Sequence, residues 1–146
     1  MSDNKKPGIG FGIMLWRDGQ ILLGQRHEDP AKANSELHGE GTWTMPGGKL
    51  HFGETLRAAA ARELLEETGI EINEADLRLI SVSDDILPDV HFITAGFFCE
   101  KFTGEARVME PDEITQWQWF DLGVLPAPIY FPSKKVLDNF LAKKIY

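Results

Sequence analysis

Gly48-Lys49-Leu50-His51-Phe52-Gly53-Glu54-Thr55-Leu56-Arg57-Ala58-Ala59-Ala60-Ala61-Arg62-Glu63-Leu64-Leu65-Glu66-Glu67-Thr68-Gly69-Ile70 is the stretch on which the reading of this chain turns. Thr55 to Thr68 is rich in Ala, Leu, Glu and Arg and lacks Pro and Gly, which predicts a helix. Gly69 supplies the left-handed stop. Glu63, Glu66 and Glu67 stand at i, i+3 and i+4 and share one face. Ala58, Ala61, Leu64 and Leu65 are expected to pack on a sheet from the other side.

A solvated acidic face is the ordinary meaning of such a run, but two costs weigh against it. Like charges three or four residues apart on a helix cost about 0.2–0.5 kcal/mol per pair. Carboxylates in the last turn also meet the negative end of the helix dipole, an unfavourable effect of about 0.3–1 kcal/mol. Bound cations would remove both. Mg²⁺ suits the pattern, because it prefers carboxylate oxygens, keeps several waters and bridges to phosphates. Spacing alone leaves metal binding and the solvated face evenly matched.

Upstream, Ile9 to Trp16 reads as a buried strand, and Ile21-Leu22-Leu23 as its return across an Asp18-Gly19 hairpin turn. Residues 27–42 are polar and read as a long loop, of a length that is usually functional. Trp43 to Met45 reads as a short strand and Pro46-Gly47-Gly48 as a turn. Downstream come strands at Leu77–Ser83 and Val90–Cys99, a turn around Leu87-Pro88-Asp89, and a strand at Trp117–Phe120. A helix at Ser133–Lys144 closes the chain, with Val136, Leu137, Phe140 and Leu141 on one face. The order predicts an α/β fold, a mixed sheet covered by helices on both sides. No internal repeat or low-complexity segment interrupts it. Gly8-Ile9-Gly10-Phe11-Gly12 is not a dinucleotide loop, since the third glycine is misplaced and a hairpin follows. Those glycines are expected to let a ligand or a neighbouring chain approach the strand.

At 146 residues the chain fits one domain, 1–146. Its 42% hydrophobic and 26% charged content suits a globular protein. A formal net charge of −8 argues against duplex nucleic acid as a partner, and a phosphate ligand would need cations to offset repulsion. The single cysteine, Cys99, sits in an apolar run and reads as core. A reducing cytoplasmic setting fits. No signal-like segment and no apolar run of about 20 residues points to a membrane.

From Gly48, five residues lead to Glu54, and seven more to Arg62-Glu63-Leu64-Leu65-Glu66-Glu67-Thr68-Gly69-Ile70. This pattern resembles the complete Nudix box at every constrained position, over residues 48–70. Gly41-Thr42-Trp43-Thr44-Met45-Pro46-Gly47-Gly48 and Trp117-Gln118-Trp119-Phe120-Asp121-Leu122 resemble segments that flank the box in that family. The resemblance implies the Nudix α/β/α sandwich, with a mixed β-sheet between helices. It implies that Glu63, Glu66 and Glu67, with the carbonyl of Gly48, hold Mg²⁺ (or Mn²⁺ in its place) on a diphosphate. Arg62 would hold a glutamate in place and Glu54 would brace the loop. Glu66 and Glu113 are alternative general bases, Glu113 being otherwise a solvated loop carboxylate. Arg26 is a candidate phosphate contact or an exposed strand-end charge. Trp43 and Phe11 are candidates for stacking on a base or are core. His91 reads as structural.

For function, the resemblance implies a hydrolase of phosphoanhydride bonds in a small nucleotide, and suggests a homodimer. Leu22-Leu23-Gly24-Gln25-Arg26 and His38-Gly39-Glu40-Gly41-Thr42-Trp43 resemble the branch that converts normal or oxidised nucleoside triphosphates to monophosphate and pyrophosphate. The alternative is ADP-ribose or a nucleotide sugar. Many such members carry a proline about 15 residues after the box, where this chain has Asp85 and its nearest proline is Pro88. A non-catalytic nucleotide sensor is a third reading, opposed by the full set of box glutamates.

Overall fold

The computed structural model describes residues 5–33 and 39–146. Part of the predicted polar loop, including His38, lies outside the described residues. Strand β1 is Gly8–Arg17 and β2 is Gln20–Arg26. The turn between them has Asp18 at φ 53° and Gly19 at φ 80°, the two positive values that a tight hairpin of matching twist requires. A helical turn α1, Pro30–Ala33, stands inside the predicted loop. Strands β3 (Trp43–Thr44) and β4 (Gly47–Lys49) follow, then helix α2, Leu56–Thr68. After β5 (Arg78–Ile86), β6 (His91–Cys99) and β7 (Ile114–Asp121), helix α3 spans Phe131–Ala142.

The strands run in the order β3-β2-β1-β6-β5, with β4 paired to β1 and β7 to β2. The sheet is mixed, as expected: β1 and β6 are parallel and the other pairs antiparallel. Strand alternation sorts β1 into two layers. Phe11, Ile13 and Leu15 pack with Ala59, Ala60 and Leu64 of α2. Met14 packs with Val136 and Leu137 of α3 on the opposite face. Helices therefore cover both sides, giving an α/β/α sandwich.

Helix α2 ends at Gly69 as its sequence predicts, and it starts at Leu56 with Thr55 as its N-cap. Thr55 accepts a hydrogen bond from the Ala58 amide, and Gly69 ends the helix at φ 79°. Its inward face differs from the expectation, however. Ala59, Ala60 and Leu64 are buried, Leu65 is exposed, and Ala58 and Ala61 are only half-buried. The helix is rotated so that Glu67 also turns inward and is itself buried.

The predicted turn at Pro46-Gly47-Gly48 is in fact the start of β4, which pairs with Gly10, Phe11 and Gly12. A Cβ at Gly47 would lie 2.0 Å from the Phe11 carbonyl oxygen, so only glycine permits this approach. Helix α3 begins two residues earlier than expected, because Pro132 is accommodated in its first turn. Cys99 is buried and unpaired. Among the described residues, no helix is long and apolar enough to cross a membrane.

Leu64 is fully buried between α2 and β1. Leu64→Ala is expected to lower stability by roughly 2–5 kcal/mol in urea unfolding. A loss below about 1 kcal/mol would contradict this packing.

Candidate active site

One cavity of about 380 Å³ opens beside the sheet where β1, β4 and β6 meet α2 and the start of α3. Gly10 and Gly12 form part of its floor, where β1 presents backbone instead of side chains. The glycine-rich start of β1 thus does leave room above the strand. Thr94 and Phe92 of β6 flank that floor. Glu63, Glu67, Glu110 and Glu113 contribute to the walls. So do Arg26, Tyr130, Met45 and Ser133.

The carboxylates are held by backbone and by one arginine. Opposite Gly12 in the ladder, Gly47 directs its amide away from β1, and that N–H donates to Glu67 Oε1 at 2.9 Å. Gly48 lies against Glu63: a Cβ there would be 2.6 Å from the Glu63 carboxyl carbon. Arg62 Nε and Nη2 donate to the two oxygens of Glu54 at 2.7 and 2.9 Å. Its Nη1 donates to Glu63 at 2.8 Å and to Glu66 at 3.3 Å. Glu54 in turn accepts from the His51 amide at 2.9 Å, tying the loop before α2 to the helix.

These contacts set the charge balance. The Arg62 hydrogen bond, with help from the His51 amide, holds the Glu54 carboxyl at about 2. Glu54 and then Glu63 push the Arg62 guanidinium up. Burial raises Glu63 against the opposing pull of Arg62. Burial raises Glu67 well above the ordinary carboxylate range, with Glu63, Glu110 and Glu113 adding to it and the Gly47 amide opposing. Burial and then the neighbouring Glu113 push Glu110 up to about 7. The crowd of like charges is thus uncomfortable in the absence of a cation.

Among the described residues, no three Asp, Glu, His or Cys side chains are already closed around a metal position. The donor set nevertheless fits a hard dication. It is all oxygen, it includes carboxylates whose charge burial disfavours, and Gly48 has no side chain to crowd the Glu63 carboxylate. Mg²⁺ does not need a closed protein cage, since it keeps waters and shares phosphate oxygens.

Other expected site residues fall out differently. Glu66 is half exposed and is not part of the cavity wall. Arg62 stands behind the carboxylates instead of facing the cavity. Arg26 does face it: Nη2 donates to the Ala33 carbonyl at 2.6 Å, and the guanidinium lies 4.7 Å from the Tyr130 ring centre. Its Nε is buried without a hydrogen-bond partner among the described residues. Trp43 is not a cavity wall, and its ring packs edge-on against Phe120 at 5.1 Å. Phe11 is 5% exposed, and its ring belongs to the α2-side core. Trp43 is thus a packing residue, whereas Phe11 belongs to the core and also lines the cavity. The structure adds Phe92 and Tyr130 to the cavity wall, and Glu110 beside Glu113. Glu110 was legible as the first residue of the acidic turn Glu110-Pro111-Asp112-Glu113, closed by the Glu113 amide on the Glu110 carbonyl at 3.0 Å. Tyr130 carried no such signal.

Because the folded-state value of Glu54 is depressed, its contacts with Arg62 support the fold above the ordinary carboxylate range. That support drains away as pH falls from about 4.5 toward about 2. Glu54→Gln is therefore expected to be less stable than the parent at pH 7, with the gap narrowing through that window in urea unfolding. A gap that stays constant down to pH 2 would contradict the pairing.

Comparison with known proteins agrees with the geometry. Residues 6–140 match the family model described as the NUDIX domain. The chain is 29% identical over 138 residues to an ADP-ribose pyrophosphatase of Methanocaldococcus jannaschii, covering 94% of this chain and 75% of that one. It is 40% identical over 98 residues to an 8-oxo-dGTP diphosphatase of Proteus vulgaris, covering 67% and 79%. A crystal structure of a MutT NUDIX hydrolase from Burkholderia pseudomallei superposes with a TM-score of 0.81 at 33% identity, over 92% of this chain and 98% of that one. A domain match over most of the chain, together with the sandwich and the carboxylate-lined cavity, makes this chain a member of the Nudix family and a Nudix hydrolase.

Proposed function

We propose that the chain is a Mg²⁺-dependent pyrophosphohydrolase of a nucleoside triphosphate, normal or oxidised, yielding nucleoside monophosphate and pyrophosphate. One observation carries this reading. Glu63, Glu67, Glu110 and Glu113 share a cavity with Arg26, Tyr130 and a floor of glycine backbone. Acid and cation in one pocket suit a polyphosphate whose charge is balanced by dications. A volume of about 380 Å³ suits one nucleoside moiety better than two, lying near the small end of ligand pockets at roughly 300–1,000 Å³.

Glu63 and Glu67, with the Gly48 carbonyl, would hold Mg²⁺. Bound there, the ion would neutralise phosphate charge and make the attacking water more acidic. Arg62 orients Glu63 and keeps Glu66 close at hand. Glu113, on the cavity wall, is better placed than Glu66 to take the proton from the water that attacks phosphorus. Arg26, also on the cavity wall, would contact a phosphate oxygen. Most of the acceleration comes from positioning and electrostatics of this kind. We further read the chain as a single cytoplasmic domain acting on free nucleotides.

A second reading, hydrolysis of ADP-ribose, is favoured by the likeness to the archaeal ADP-ribose pyrophosphatase, which extends over 94% of this chain.

With Mg²⁺ the purified protein is expected to release pyrophosphate from at least one nucleoside triphosphate, and chelation should abolish this. AMP and ribose 5-phosphate from ADP-ribose, with every triphosphate untouched, would transfer the assignment to the second reading. Glu67→Gln is expected to keep the fold and lose at least about 100-fold in turnover, the scale of removing one key electrostatic group. Unchanged turnover would remove Glu67 from the site.

A further inference from the structure

Behind the glycine floor lies a buried polar cluster that phosphate chemistry does not use. Thr94 of β6 lines the cavity and is 6% exposed. Its hydroxyl donates to Asp85 Oδ2 at 2.8 Å. Asp85, on β5, is fully buried. Its other oxygen, Oδ1, lies 2.8 Å from Lys135 Nζ of α3 as an ion-pair contact. That contact lacks hydrogen-bond alignment, and the ammonium donates to the Asp84 carbonyl. Ser83 stands directly opposite Thr94 in the ladder, buried and without a hydrogen-bond partner among the described residues.

The chemistry of a hydroxyl then matters. Thr has one O–H proton and two lone pairs. Here the proton is committed to a buried carboxylate that can only accept. Toward the cavity, Thr94 therefore has lone pairs alone to offer, beside floor residues Gly10 and Gly12, which put no side chain there. A hydroxyl free to rotate would accept from an amine or donate to a carbonyl with equal ease. One fixed by Asp85 can satisfy only the amine, and it leaves a facing carbonyl oxygen unpaired.

We propose that Thr94, oriented by Asp85, is the specificity-determining acceptor of the nucleobase pocket and favours bases that present an exocyclic amine over their oxo counterparts. The proposal rests on the reading of this cavity as a nucleotide site, and it is independent of which anhydride is cut. In it Thr94 touches the base, whereas Asp85 and Lys135 are positioning residues.

The test is calorimetric titration of the full chain, with Mg²⁺ present, against matched nucleoside 5′-monophosphates: GMP and XMP, AMP and IMP, CMP and UMP. The parent is expected to bind the amino member of at least one pair more tightly by roughly 3- to 10-fold, the range set by one hydrogen bond. Thr94→Val should bring that preference to near unity by weakening the amino member, and Thr94→Ser should keep it. Should the valine variant not fold, Thr94→Ala gives the same readout. No amino preference in any pair, or equal weakening of both members in the Thr94 variants, would overturn the proposal. An enzyme that cuts ADP-ribose and no triphosphate fails the reaction assay and still passes this one, so the two failures are distinguishable.

Discussion

Arg62 is the hinge of the whole arrangement. Three carboxylates, those of Glu54, Glu63 and Glu66, take hydrogen bonds from its one guanidinium, and a fourth, Glu67, is held by the Gly47 amide. Lysine has no planar fork of donors and could not satisfy Glu54 through two nitrogens while reaching Glu63 with a third. The guanidinium compensates Glu54 fully and Glu63 only in part, and it does not touch Glu67. The residual discomfort is concentrated on the two carboxylates that face the cavity, since burial raises both Glu63 and Glu67. A bound dication would relieve both carboxylates.

The fold serves that arrangement through backbone proximity. Strand β4 can lie on β1 only because Gly47 has no side chain, and this contact turns the Gly47 amide toward α2. Helix α2 is rotated accordingly: it buries Glu67 and leaves Leu65 in solvent. On the other side of β1, Gly10 and Gly12 leave the cavity floor open, and the ends of β6 and α3 complete its walls. One strand thus positions the carboxylates of α2 through one edge and the cavity through one face.

Features set by local chemistry were legible in the sequence. The Gly69 end of α2 and the Asp18-Gly19 turn each depend on residues close in the chain. The layered α/β order also followed from periodicity. What could not be read depends on how distant segments meet. The acidic turn at Glu110 reaches the box glutamates only because β7 pairs with β2. Tyr130 faces Arg26 because the backbone before α3 bonds to Trp43, and the same contact directs the Trp43 ring to Phe120. Hydrophobicity along α2 does not reveal its inward face, because Glu67 turns inward to accept from the Gly47 amide. Asp85 and Thr94 are nine residues apart and meet by hairpin register, which composition does not reveal.

The central claim is that the crowd of carboxylates exists to hold dications. Its most direct measurement is anomalous diffraction from crystals soaked in Mn²⁺ together with a slowly hydrolysed nucleotide analogue. The expected result is manganese signal beside the carboxylate oxygens of Glu63 and Glu67. Nucleotide density in the cavity with no metal near either side chain would contradict the claim.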